Sequence, residues 1–285
     1  MRSKKSFRNN YILVVFDSCR YDSFVQARPR IIRQLGKVER RWSYASWTSP
    51  SHYNLLIGLL PHSSPKHVYA SEYYKSEFLK FNERLGVKDL KFASLVPRLY
   101  LPVFLKEALG YRTHAKVSLP VLNPKTILNT GFDTYKLMEN HNDMRAMLRE
   151  LSFSEEQPSF YLLNVGETHY PYALPDEPPE EWPRISGVHG VFKHLDDHIV
   201  GGKLVSRRQK FFDRAKLEML RKRQVRAVKY LDGVIEELFD TVPQNTYITI
   251  TADHGELFGE SGYFGHGPIH HEKVWEVPFV EGKIR

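Results

Sequence analysis

Residues 11–22 read YILVVFDSCRYD, a continuous apolar and largely β-branched run from Tyr11 to Phe16 that breaks at Asp17 into polar residues. A strand with one wet face would alternate, so an unbroken apolar run predicts a central strand buried on both faces, with polar side chains delivered at its carboxyl end. The pattern returns twice. SFYLLNVGETHYPY predicts a strand from Phe160 to Val165 ahead of Glu167 and His169, and TYITITADHGE predicts one from Tyr247 to Thr251 ahead of Asp253 and His254. Open α/β sheets place ligands beyond the carboxyl ends of their strands, so three tips carrying acid or histidine predict one shared site.

Between these strands lie helical patterns, from about Ser51 to Leu60, from Leu101 to Leu109 ahead of Gly110, and from Val205 to Phe239 ahead of Pro243. Strands alternating with helices predict an α/β fold: a mostly parallel central sheet sandwiched by helices in three α/β/α layers. The stretch from Ala173 to Lys203, rich in Pro, Gly and His, predicts a long loop or lid beside the site. With no repeat, low-complexity tract or linker in view, residues 1–285 are expected to form a single domain.

The 285 residues are 41% hydrophobic and 26% charged, with 17 Phe, 16 Tyr and 4 Trp, which excludes collagenous, fibrous and small disulfide-stapled classes and suffices for a large core. A net charge of +8 favours anionic partners: phosphate esters, sulfate esters, nucleic acid or anionic lipid heads. The densest basic cluster, Lys203 to Lys229, includes Arg207, Arg208, Lys210 and Arg226 and lies on the last helical pattern. Leu217, Leu220 and Val228 give that helix an apolar side, so the charges read as a solvated face, and with few interleaved aromatics nucleic acid is not the expected partner. One cysteine, Cys19, forms no internal disulfide, which predicts a reducing compartment and a cytoplasmic location. No apolar run approaches the roughly 18 residues of a span, so no integral membrane contact is expected.

Asp17 at a buried strand tip needs its charge balanced, by a metal or by the blander roles of capping a helix or pairing with Arg20. In SWTSPSHYNLLIGLLP (46–61), Thr48, Ser49 and Ser51 fall at a helix start, where free N–H groups favour an anion; they read equally as caps, with Thr48 a candidate nucleophile. ADHGELFGESGYFGHG (252–267) is more specific: Asp253 and His254 follow a strand, Gly255 allows a sharp turn, and His266 returns between glycines. Carboxylate with imidazole suits Zn²⁺ or Mn²⁺, whereas Ca²⁺ or Mg²⁺ would prefer an all-oxygen set. His169, ahead of Tyr-Pro-Tyr, is placed to meet a substrate oxygen or a second metal.

Taken in order, these segments resemble the sulfatase-like branch of the alkaline phosphatase superfamily. FDSCRYD is similar to the D-S-x-R-x-D first-strand segment, SWTSPSH to the nucleophile segment C/S/T-x-P-S-R/H, and LKEALGYRT with GFDTY to the stretch after it. GETHYPY resembles D-x-H-x-P-Y, YLDGVIEEL the helix before the last metal strand, ADHGELFGESGYFGHG the D-H-G-E-x-F-G-E-x-G-x-x-G-H-G signature, and VWEVPFV the strand beyond. The resemblance implies that Asp17, Thr48, Asp253 and His254 ligate one divalent cation, with Thr48 the nucleophile. It further implies that His169 and His266 serve catalysis or the oxyanion, and that Glu167 and His52 lie with them on the substrate side.

Several positions depart from the sulfatase pattern. Thr48 stands where sulfatases carry the cysteine or serine that becomes formylglycine, His52 replaces their arginine, Ser18 stands where many have a second acidic ligand, and Glu167 replaces the usual Asp. Threonine cannot become that aldehyde. The resemblance therefore implies phosphate ester hydrolysis or transfer through a phospho-threonine, on a small-molecule, lipid head-group or polysaccharide ester. Sulfate ester hydrolysis, or a degenerate member that only binds metal or anion, are the alternatives. One metal site is expected, with a second open, and because the family usually continues past VPFV into a C-terminal subdomain, residues 1–285 read either as a minimal member or as a fragment.

Overall fold

In the computed structural model, which describes residues 8–63, 70–91, 100–183, 199–200, 203–204 and 213–284, the run at 10–16 is a strand with every residue buried. It is β1 (Asn10–Phe16), followed by β2 (Glu39–Trp42), β3 (Arg112–Val117), β4 (Thr134–Leu137), β5 (Ser159–Val165), β6 (Thr246–Thr251) and β7 (Glu276–Lys283). They form one seven-stranded sheet in the order β2-β7-β6-β1-β5-β3-β4, with β1, the first strand of the chain, at its centre. β1 pairs in parallel with β5 and β6, and β3 with β4 and β5. Only β7 runs against its neighbours β6 and β2, so the sheet is mostly parallel, as expected.

Strand parity divides the core. Ile12, Val14 and Phe16 of β1, with Tyr161, Leu163 and Val165 of β5, enter one apolar cluster, while Tyr11, Leu13, Val15, Phe160 and Leu162 enter the other on the opposite face. Among the described residues the α-helices are α1 (Tyr21–Ala27), α2 (Thr48–Leu56), α3 (Ala70–Leu79), α4 (Phe81–Leu85), α5 (Leu101–Leu109), α6 (Met144–Leu148), α7 (Arg214–Thr241) and α8 (Glu272–Trp275). Phe24, Met147, Leu231 and Leu238 bring α1, α6 and α7 onto the first face; Leu55, Phe81 and Leu105 bring α2, α4 and α5 onto the second. The result is the three-layer arrangement predicted from the alternation of patterns.

α5 ends where expected, at Gly110 in the left-handed region with φ 68°. α2 starts at Thr48, three residues before the expected Ser51, because Pro50 sits in the first turn, where its missing N–H costs no helical bond. α7 starts at Arg214, with the Asp213 carboxylate accepting from Ala215 N at 2.8 Å; residues 205–212 of the expected helix lie outside the described residues. So do 184–198 and 201–202 of the expected lid and Arg207, Arg208 and Lys210 of the basic cluster. Among the described residues no helix is long and apolar enough to cross a membrane.

Candidate active site

The tips of β1, β5 and β6 meet. One ligand atom from each of Asp17, Asp253 and His254 lies within 4.8 Å of the others, and all three residues are buried. Asp17 follows β1 with its backbone N–H on Val165 O of β5 at 2.9 Å, so the two central strands splay only past this point. Ser18 next takes a left-handed φ of 59° and turns its N–H onto Asp253 Oδ1 at 3.0 Å, joining the first tip to the third. The alternative partner for Asp17 is taken: Arg20 forks onto Asp22 at 2.8 Å and reaches Glu260 at 2.6 Å.

Gly255 works by close approach. A Cβ there would lie 2.1 Å from Lys273 O, so α8 packs directly against the backbone that carries Asp253 and His254. His254 donates Nδ1–H to Gly255 O at 2.8 Å, which leaves Nε2 aimed at the cluster. Burial would lower this imidazole, but the Asp253 carboxylate outweighs it, with Asp17 adding to the effect, and the pKa is raised to about 9. The same pairing, against the pull of burial, holds Asp253 well below the ordinary carboxylate range. Asp253 Oδ2 lies 3.2 Å from His254 Nε2 and is buried without a hydrogen bond. A carboxylate oxygen with no other partner, facing a ring nitrogen whose proton a metal can replace, beside a second carboxylate, fits a divalent cation, and the mixed N/O donors fit Zn²⁺ or Mn²⁺.

Thr48 opens α2 at this place. Its N-cap, Trp47, supplies no side-chain cap, and Thr48 Oγ1 lies 3.3 Å from His254 Nε2 and 3.5 Å from Asp17 Oδ1. His52, one turn on, bonds Thr48 O through Nδ1 at 2.9 Å and meets Asn164 through Nε2 at 3.2 Å. At 1% exposure it is buried beside Thr48, with Nδ1 also 3.6 Å from Asp253 Oδ2.

His266 and His169 stand at the outer edge. The His266 ring centroid is 4.3 Å from that of His254 and 5.5 Å from that of His169. Glu256, buried, accepts from His266 Nδ1 at 2.9 Å and is itself held by the Tyr172 hydroxyl. Burial, and then the charge of His254, lower the His266 pKa, against the pull of Glu256. His169 commits Nδ1 to Tyr170 O at 2.8 Å, leaving Nε2 for other partners.

Glu167 is the expected residue that the structure does not bring to the others. Fully buried, it turns Oε1 onto Met144 N of α6 at 2.8 Å, and desolvation raises its pKa to about 7. Past the strand end at Val165 its side chain turns to the layer of α6, which Val165 also faces. Sequence reasoning missed Asn164, a lone amide inside an apolar run, and Gln224, buried on the basic helix. Gln224 Nε2 bonds Ser18 O at 2.9 Å and Thr168 O at 3.1 Å, tying two tips together. The break in YLLNV could have flagged the first; nothing in RKRQVRAV flags the second.

Fold and cluster together define an alkaline phosphatase-like α/β protein with a candidate metal centre at its central strand tips. The family described as Sulfatase matches residues 9–280, and the chain belongs to that family. Its fold is similar to the C-terminal periplasmic domain of EptC from Escherichia coli in complex with Zn, at TM-score 0.57 and 12% identity over 99% of this chain and 75% of that one. It is also similar to the phosphonate monoester hydrolase of Agrobacterium radiobacter, at TM-score 0.54 and 15% identity over 97% and 68% of the two chains. A third similar structure, BT4656 in complex with its substrate D-glucosamine-2-N,6-O-disulfate, has TM-score 0.58 and 14% identity over 97% and 71%. No curated protein sequence matches the chain.

Proposed function

We propose that this sulfatase-family protein is a metal-dependent hydrolase or transferase of phosphate esters that acts through a covalent phospho-threonine at Thr48. The observation that carries this reading is the Thr48 hydroxyl placed 3.3 Å from His254 Nε2 and 3.5 Å from Asp17 Oδ1, beside the orphaned Asp253 Oδ2. Asp17, Asp253 and His254 would hold the cation, with Thr48 Oγ1 beside them. When bound, the cation supplies positive charge that favours ionised oxygen at Thr48 and on the transferred group.

Thr48 Oγ1 attacks phosphorus as its proton passes to solvent, so the Thr48 O–P bond forms while the bond from phosphorus to the leaving oxygen breaks and that oxygen takes up a proton from water. His266, steadied at Nδ1 by Glu256, and His169, with Nδ1 committed to Tyr170, present their outer nitrogens to the transferred group and the leaving oxygen. Water or an acceptor alcohol then displaces Thr48. A threonine at the nucleophile position excludes the formylglycine route and favours phosphoric over sulfuric esters, with lipid head-groups or polysaccharide esters among the substrates.

Thr48→Ala should retain Zn²⁺ through the remaining three residues and lose at least about 10³-fold in kcat, the scale of removing a covalent nucleophile. Assay of phosphomonoester, phosphodiester and sulfate ester substrates, with mass spectrometry for phosphate on Thr48 after a rapid quench, tests the reaction class. Near-normal turnover by Thr48→Ala, or turnover confined to the sulfate ester, would remove the proposal.

A further inference from the structure

Asn164 is a fully buried amide at the end of β5. Its Oδ1 accepts from the backbone N–H groups of Ser118 and Leu119 at 3.1 and 3.3 Å. A backbone N–H can only donate, so the amide has one orientation, with Nδ2 turned to the cluster. Nδ2 carries two hydrogens and meets two acceptors, Asp17 Oδ2 at 2.9 Å and His52 Nε2 at 3.2 Å. An imidazole that accepts at Nε2 donates from Nδ1, and His52 Nδ1 lies 2.9 Å from Thr48 O. An unbroken chain of bonds thus runs from the end of β3 through Asn164 to Asp17 on one arm, and through His52 to Thr48 on the other.

We propose that Asn164 and His52 form a positioning relay that holds the Asp17 carboxylate and the Thr48 turn in one register. The inference rests on the reading of Asp17 as a metal ligand and Thr48 as the nucleophile. The two arms have distinct effects. By occupying Asp17 Oδ2, Asn164 fixes the carboxylate plane and leaves Oδ1, the oxygen toward Ser18 Oγ at 3.0 Å and Thr48 Oγ1, for the cation. By setting the His52 tautomer, it keeps a donor on the Thr48 carbonyl at the first turn of α2. A carboxylate torsion is broad when unsupported, and outer partners of metal ligands typically govern 10–100-fold in metal affinity.

The test uses the full chain and the variants Asn164→Ala, His52→Leu, His52→Gln and the Asn164→Ala/His52→Leu pair. Zn²⁺ affinity by chelator competition and the visible spectrum of bound Co²⁺ are read together with kcat and KM. Asn164→Ala should weaken Zn²⁺ about 10–100-fold and shift the Co²⁺ bands. His52→Leu should lower kcat with little change in KM, and His52→Gln, whose amide can donate to Thr48 O and accept from Asn164, should recover most of that loss. In the pair, His52→Leu should cost much less than it does alone.

Native Zn²⁺ affinity and Co²⁺ spectrum in Asn164→Ala, or fully additive effects in the pair, would overturn the relay. Should Asn164→Ala fail to fold by circular dichroism, His52 decides: equal kcat in His52→Leu and His52→Gln overturns the relay, and recovery in His52→Gln supports it. A wild-type chain that binds no Zn²⁺ and turns over no ester would sink the underlying site reading. An active wild type with unaltered variants would sink the relay alone.

Discussion

His254 carries a pKa raised from 6.5 to about 9 in the metal-free protein because two carboxylates face its buried ring. A folded-state pKa above the unfolded one contributes stability that is complete below pH 6.5 and is lost as pH rises through about 9. Denaturant unfolding of metal-stripped protein should therefore show falling stability across that window, and a larger fall than in His254→Gln. A Zn²⁺ ion held at this ring would take the place of the proton, so the wild-type slope should flatten on adding Zn²⁺. A metal-stripped wild type whose stability changes with pH as the variant's does would refute this account. Asp17, Asp253 and His254 were legible as residues because each breaks an apolar run at the point where a strand must end. Glu167 shared that signal and misled, since a break in hydrophobicity does not say which face of the sheet the next side chain will take. Parity, applied from Leu162 to Asn164 within β5, puts that amide on the α2 face, whereas Glu167 lies past the strand end, where alternation no longer fixes a face.

Helix α2 and the β6 tip show what elements add. Local sequence leaves Thr48 a helix cap or a nucleophile; β6 brings His254 to within 3.3 Å of its hydroxyl, a contact between residues distant in the chain on which the proposed nucleophile role rests. The three central strands were readable because burial on both faces leaves an uninterrupted apolar run. α3 and α4 go beyond the sequence expectation, although Phe78, Phe81 and Leu85 stand at helical spacing. The role of Gly255 also changes with the structure, from a sharp turn to contact with α8. Gly255→Ala would drive its methyl to within 2.1 Å of Lys273 O, so α8 or the tip must shift. Overpacking of this kind costs about 1–3 kcal/mol, and the variant should show that loss in its denaturant midpoint together with weaker Zn²⁺ binding. An unchanged midpoint would show that α8 yields freely.

Across the whole molecule, the site is where the layers and the central strands share one end, so a bound ion should report on global stability. A ligand at 100 times its Kd adds about 2.7 kcal/mol when the unfolded chain does not bind it, worth several degrees in Tm at this size. Calorimetry of chelator-treated protein with and without Zn²⁺ should show that rise, and Asp253→Asn should remove most of it. No rise in the wild type would exclude a folded-state site of useful affinity. The layer order was legible from alternating patterns; the insertion of β7 between β6 and β2 was not, since strand order depends on contacts that no local pattern encodes. That insertion has a consequence for biosynthesis. Within the seven-stranded sheet β2 has β7 as its neighbouring strand, and Arg84, fully buried, has its carboxylate partner Glu281 on the same late strand. At ribosomal speeds of about 5–20 residues per second, the nascent chain carries an open edge and an unneutralised guanidinium for on the order of tens of seconds, an interval in which a chaperone has something to hold.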